Sequence, residues 1–103
     1  MSLDSKNRFG LLGKSLSHSF SKNYFNQKFA QEGIDAMYDN YELEAIEQLE
    51  LRVLPDPYLR GFNVTFPYKK AILPFLDFMD DTVRSTGACN TVYKTEGYLF
   101  GYN

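Results

Sequence analysis

Tryptophan is missing from this sequence, cysteine and histidine each occur once, and proline occurs only four times. A single cysteine, Cys89, has no partner for an internal disulfide, so the chain must fold on packing alone and suits a reducing, cytoplasmic compartment. With one histidine beside that cysteine, the usual zinc ligand sets cannot be assembled, and no metal site is expected. No apolar run approaches the roughly 18 residues a membrane span needs, and the N-terminus shows no apolar signal segment. An excess of basic charge is also missing. Eleven Lys and Arg stand against thirteen Asp and Glu, for a net charge of −2, without the basic stripe a nucleic-acid binder would use.

What is present describes an ordinary folded domain. The 103 residues are 44% apolar and 23% charged, and nine Phe and eight Tyr raise the aromatic share to 17%. That is enough apolar mass for one real core, so residues 1–103 read as a single domain. Met1-Ser2-Leu3 is set aside as an added leader. Charge is segregated along the chain. Lys6, Arg8, Lys14, Lys22 and Lys28 lie in residues 1–28, whereas residues 32–57 hold eight acids against Arg52. The acidic stretch reads as a solvated helix face, with a protein-interaction surface as the alternative.

Local pattern gives the order of elements. A short apolar run at 8–13, closed by glycine, predicts a buried strand. After a serine-rich turn, Phe20, Tyr24, Phe25 and Phe29 recur at helical spacing, and Gly33 is placed to stop that helix. Residues 36–42 read as a second strand. Ala45, Ile46, Leu49 and Val53 then share a helical face that Pro55 and Pro57 end. Residues 59–65 predict a third strand, running into a short helix with Pro67 at its first position and Pro74 at its end. Asp80 or Asp81 can cap another short helix stopping at Gly87. Residues 89–95 and 98–102 read as a hairpin around Glu96-Gly97. This alternation predicts an α/β fold, a three-layer α/β/α sandwich with a mainly parallel sheet and an antiparallel strand pair at the end. The last strand pattern runs to Asn103, which predicts a chain truncated from a longer one.

Ligands of open α/β sheets bind where strands lead into helices, and two such junctions here are unusually polar. In Ser17-His18-Ser19-Phe20-Ser21, Ser19 and Ser21 put hydroxyls beside a helix N-terminus, which favours an anion such as a carboxylate. The plainer alternative makes one serine the N-cap. His18 lacks the context of a hydrolytic triad and reads as a residue hydrogen-bonded within its own loop. In Asn63-Val64-Thr65-Phe66-Pro67-Tyr68-Lys69, the lysine falls in the first turn of the expected helix, where the dipole disfavours a cation. Such a lysine would have a lowered pKa and serve as an acid or base. On position alone, a solvated surface lysine is an equal alternative. Asn90, in Gly87-Ala88-Cys89-Asn90-Thr91, offers a donor and an acceptor to a polyol or is a plain turn residue, and Cys89 reads as a small buried hydrophobe.

Taken in order, these segments resemble the substrate-binding domain of the shikimate dehydrogenase family. The family's G-x-P-I-x-H-S-x-S-P is approximated by Gly13 to Lys22, N-V-T-x-P-[FY]-K is met by Asn63 to Lys69, and G-A-x-N-T by Gly87 to Thr91. Gly101-Tyr102-Asn103 matches the start of G-x-N-T-D. The resemblance implies an NADP-dependent reduction of 3-dehydroshikimate to shikimate. It implies that Ser19 and Ser21 hold the substrate carboxylate and that Thr65, Lys69 and Asn90 hold the ring hydroxyls. Lys69 would be the acid or base at the reacting oxygen. It also implies an aspartate two positions beyond Asn103 and a glycine-rich cofactor domain, neither of which is in this sequence; no G-x-G-x-x-G occurs. Ser15 and Lys22 stand where the family has prolines, and Phe25 where histidine is frequent. The fragment itself is therefore expected to be inactive. An NAD-using quinate/shikimate dehydrogenase and a non-catalytic small-molecule binding module are the alternatives, and a homodimer stays open as an assembly.

Overall fold

The computed structural model describes residues 5–103, so Met1-Ser2-Leu3 and Asp4 lie outside the described residues. Six strands form one mixed sheet: β1 (Arg8–Gly13), β2 (Met37–Glu42), β3 (Leu59–Val64), β4 (Phe78–Met79), β5 (Thr91–Thr95) and β6 (Tyr98–Tyr102). Their spatial order is β2-β1-β3-β5-β6-β4. β1 runs parallel to both β2 and β3, β5 is antiparallel to β3 and β6, and β4 lies parallel to β6. The helices are α1 (Ser21–Gln31), α2 (Leu49–Arg52) and α3 (Asp81–Thr86), with 3-10 turns at Ile46–Gln48 and Leu73–Phe75.

Alternation along the strands divides the packing. Leu12, Phe62, Val64 and Val92 point to the face covered by Leu49 and Val53 of the α2 segment, Ile72, and Val83 of α3. Leu11 and Tyr38 point the other way, towards Leu16 and the rings of Phe25 and Phe29 on α1. The three layers expected from sequence are therefore present, with unequal cores. Thirteen buried side chains make up the first cluster and three the second. At about 1.5–3 kcal/mol for each fully buried large aliphatic side chain, most of the apolar stabilisation lies on the α2/α3 face. No residue of α1 is fully buried.

α1 is held by other means. Phe25 stacks on Tyr38 with ring centroids 4.6 Å apart. Asn26 donates from Nδ2 to the Tyr38 carbonyl and accepts the Tyr38 N–H at its Oδ1, both at 2.9 Å. Because β2 is an edge strand, this amide takes the place a further strand would occupy. Lys22 pairs with Asp39 on β2 at 3.1 Å.

The acidic stretch is not a helix face. It runs from the C-cap of α1 through β2 and the short α2 to the loop before β3, and three of its acids pair with the basic N-terminal segment. Arg8 pairs with Asp56 at 3.2 Å, Lys22 with Asp39 at 3.1 Å, and Lys28 with Glu32 at 3.4 Å. Two of these pairs carry the segregated charge across the fold, while Lys28–Glu32 is a local pair at the end of α1.

Candidate functional site

The parallel strands β1 and β3 end side by side, and the backbone there is sewn to the start of β5. The Thr65 N–H donates to the Leu12 carbonyl at 2.9 Å, and the Val64 N–H to the Asn90 carbonyl at 2.8 Å. The Cys89 N–H donates to the Lys69 carbonyl at 2.8 Å, and the Asn90 N–H to the Tyr102 carbonyl at 3.2 Å. Thr65, Lys69 and Asn90, separated in sequence, are brought to one seam. Gly13 closes it from the β1 side: a Cβ there would stand 2.8 Å from Thr65 Cγ2 and 2.6 Å from Leu16 Cδ2.

The serine loop follows β1 directly. The Ser19 N–H donates to the Leu16 carbonyl at 3.0 Å, and the Leu16 N–H donates to Glu42 Oε1 at 2.7 Å, pinning the loop to the end of β2. Neither serine is the N-cap. Phe20 holds that position and cannot accept a hydrogen bond through its side chain, while Ser19 Oγ, one residue earlier, accepts the Ser21 N–H at 3.4 Å. The first turn of α1 contains no acid, and Ser19 and Ser21 are both half-buried. His18 is exposed and makes no hydrogen bond with the described residues, contrary to the loop-bonded expectation.

The helix expected from Pro67 to Pro74 does not form. The Phe66-Pro67 peptide is cis, residues 66–67 and 69–72 are turns on either side of Tyr68, and Pro74 sits inside the 3-10 turn Leu73–Phe75 rather than ending a helix. The physical reason is tertiary. The Lys69 carbonyl, which a helix would bond to residue 73, is taken by Cys89, and the Leu73 N–H turns to Lys70 instead. Tyr68 is driven into the core and donates its hydroxyl to the Leu43 carbonyl at 2.6 Å. With no helix starting at Pro67, the dipole argument for Lys69 loses its basis. Lys69 is instead an exposed residue on a cleft of about 460 Å³ that Thr65, Phe66, Pro67 and Lys70 also line. Ser19, Ser21 and Asn90 do not line that cleft.

Asn90 is half-buried and accepts the Thr91 hydroxyl at its Oδ1, 3.0 Å away. Cys89 is fully buried, its Sγ donating to the Thr91 carbonyl at 3.2 Å, and burial pushes the thiol above its ordinary pKa. It packs as the small hydrophobe expected. Sequence reasoning gave no role to Tyr38 or Asn63, which the fold joins to this seam: Tyr38 donates its hydroxyl to Asn63 Oδ1 at 2.9 Å. Only the place of Asn63 within its motif signalled this, because the pairing depends on β1 lying between β2 and β3. Among the described residues no group of three or more His, Cys, Asp or Glu could hold a metal ion.

Polar side chains gathered where parallel strands end mark the place at which α/β sheets bind small polar molecules. Comparison with known proteins makes this particular. The family model of the shikimate dehydrogenase substrate binding domain matches residues 11–92, and the chain belongs to that family. A shikimate dehydrogenase (NADP(+)) of Caldicellulosiruptor bescii is 43% identical over 96 residues, covering 90% of this chain and 33% of its own length. Shikimate dehydrogenase 1 of Peptoclostridium difficile superposes with a TM-score of 0.84 at 38% identity, covering 94% of this chain and 36% of that one. Shikimate 5-dehydrogenase of Thermus thermophilus, solved with NADP(H) and shikimate, gives a TM-score of 0.84 at 34% identity, covering 94% and 37%. The chain spans about a third of the length of the curated relatives it matches.

Proposed function

We propose that this chain holds the substrate of an NADP-dependent shikimate dehydrogenase, which interconverts 3-dehydroshikimate and shikimate on the route to chorismate and the aromatic amino acids. The observation that carries the reading is the seam of backbone hydrogen bonds that draws the Thr65, Lys69 and Asn90 segments together at the end of β1, the strand that the serine loop follows. Ser19 and Ser21 take the substrate carboxylate, aided by the free N–H groups of the first helical turn. Thr65, Lys69 and Asn90 take the ring oxygens. As the carbonyl becomes a hydroxyl, with a hydride supplied to its carbon by the nicotinamide that the rest of the enzyme would bind, Lys69 Nζ donates the proton to the forming oxygen; in the reverse direction it accepts it.

The residues present do not fit NADP. The β1–α1 junction, where a dinucleotide-binding unit would cradle a pyrophosphate on glycines, contains none between Gly13 and Gly33. This chain's part is to bind, orient and move a proton. A cytoplasmic setting is supported by the lone, buried Cys89. Among the described residues no helix is long and apolar enough to cross a membrane.

Titration of the isotope-labelled chain with shikimate, followed by NMR, tests the reading. Shifts are expected at Ser19, Ser21, Thr65 and Asn90. Shifts confined to residues 32–57 would place binding elsewhere and overturn it.

A further inference from the structure

Tyr38, Asn63, Thr91 and Asn90 come from β2, β3 and the start of β5, and their side chains form a continuous hydrogen-bonded line. Tyr38 Oη donates to Asn63 Oδ1 at 2.9 Å, Asn63 Nδ2 to Thr91 Oγ1 at 3.4 Å, and Thr91 Oγ1 to Asn90 Oδ1 at 3.0 Å. We propose that this line is a one-way relay that fixes the Asn90 amide with its oxygen inward and its amino group free for the ligand, so that Asn90 reads a ligand oxygen as a donor. The ligand part of this inference rests on the function proposed above.

The direction follows from Tyr38. A phenol has one proton, and Tyr38, only 3% exposed, gives it to Asn63. Reversing the line would make Tyr38 an acceptor and leave that proton without a partner in the described structure, which is unfavourable for a buried donor. Once Asn63 Oδ1 is filled, its Nδ2 must face Thr91, and the Thr91 hydroxyl can give its proton only to Asn90. Burial also holds the Tyr38 phenol up at about 12, so the first donor stays protonated at physiological pH. At the far end, both hydrogens of Asn90 Nδ2 are left over among the described residues. They suit a hydroxyl or carbonyl oxygen and reject an ammonium in the same place.

The relay also joins the two halves of the site. Asn26 grips the Tyr38 backbone from α1, the helix that Ser19 and Ser21 precede and begin. A carboxylate held at the helix start and oxygens held at Asn90 are therefore referenced to the same tyrosine. Tyr38, Asn63 and Thr91 are positioning residues, acting through Asn90.

Tyr38→Phe and Thr91→Val remove one hydroxyl each while keeping shape. Both should move the Asn90 side-chain amide resonances in the ligand-free chain and weaken shikimate binding by about three- to tenfold. The double variant should be little worse than either single one, as members of one line are non-additive. If Thr91→Val moves the Asn90 amide while Tyr38→Phe leaves it as in the wild type, the relay is overturned. Unchanged backbone amides of Leu12 and Val64 show that the sheet is intact. Should Tyr38→Phe disturb them, Asn63→Asp decides. Its carboxylate accepts from both neighbours, turns the Thr91 proton away from Asn90 and should displace the Asn90 amide; no displacement rejects the relay. A wild-type chain unmoved by shikimate would sink the functional reading, while the ligand-free resonances would still judge the relay.

Discussion

Lys69 has the exposure and the cleft of a residue that meets ligand, and its backbone carbonyl is fixed by Cys89. In an enzyme that joins this domain to a nucleotide-binding domain, Lys69→Ala should lower kcat about a hundredfold or more. KM should change far less, because the proton is wanted in the transition state rather than the ground state; steady-state kinetics would separate the two. Gly13 makes a second prediction at this scale. Gly13→Ala sets a methyl against Thr65 and the buried Leu16, so it should cost about 1–3 kcal/mol by urea unfolding and weaken shikimate binding together. Tyr38 gives the pH dependence. Its folded-state pKa of about 12 lies above the ordinary value of 10.0, so the native state keeps a proton that the unfolded chain loses. Stability should be intact below pH 10 and fall as pH rises from 10 towards 12. Tyr38→Phe should make that limb shallower without abolishing it, because burial also raises Tyr41 and Tyr68; urea midpoints at about pH 7 and about pH 11 would reveal the change.

At the scale of elements, local signals were read well where the chain's own neighbours decide the outcome. Gly33 at φ 66° beyond α1, Gly87 at φ 70° after α3, and Glu96-Gly97 at φ 52° and 82° between β5 and β6 are turn positions that residue type alone announces. The failures lie where distant partners decide. β4 is two residues long and exists because the Asp77 N–H donates to Leu99, the Leu99 N–H to Asp77 Oδ2, and the Asp80 N–H to Gly101. Nothing near Phe78 in sequence foretells it. The missing helix after Pro67 has the same cause, a carbonyl claimed from across the fold. Asn26 was equally hidden, as a polar residue between aromatic ones. Asn26→Ala strips two partners from the Tyr38 backbone and should destabilise the chain by roughly 1–3 kcal/mol, with the loss of protection centred on α1 and β2 in hydrogen exchange.

For the whole molecule, the candidate site was legible as motifs and their order, and the comparisons bear out the family. The geometry that unites those motifs was not, because it depends on sheet order. Charge behaves likewise: two lopsided segments in sequence become ion pairs between Arg8, Lys22 and Lys28 and three of the acids. The Lys22–Asp39 and Lys28–Glu32 pairs are well exposed, so each should be worth about 0–1 kcal/mol and weaken in salt. Lys22→Ala should therefore leave the urea midpoint nearly unchanged, whereas Asn26→Ala, one turn further on, should not.

Cys89 gives this architecture a built-in clock. It is the sole thiol, fully buried, and its neighbours in the chain carry the seam between Lys69 and Asn90. A thiol reagent can reach it only when the packing around it opens, on the side of that seam or of Gly101 and Leu76, so the labelling rate counts openings beside the site. A ligand that clasps both sides would slow the count, and the molecule would report its own occupancy without any added probe group.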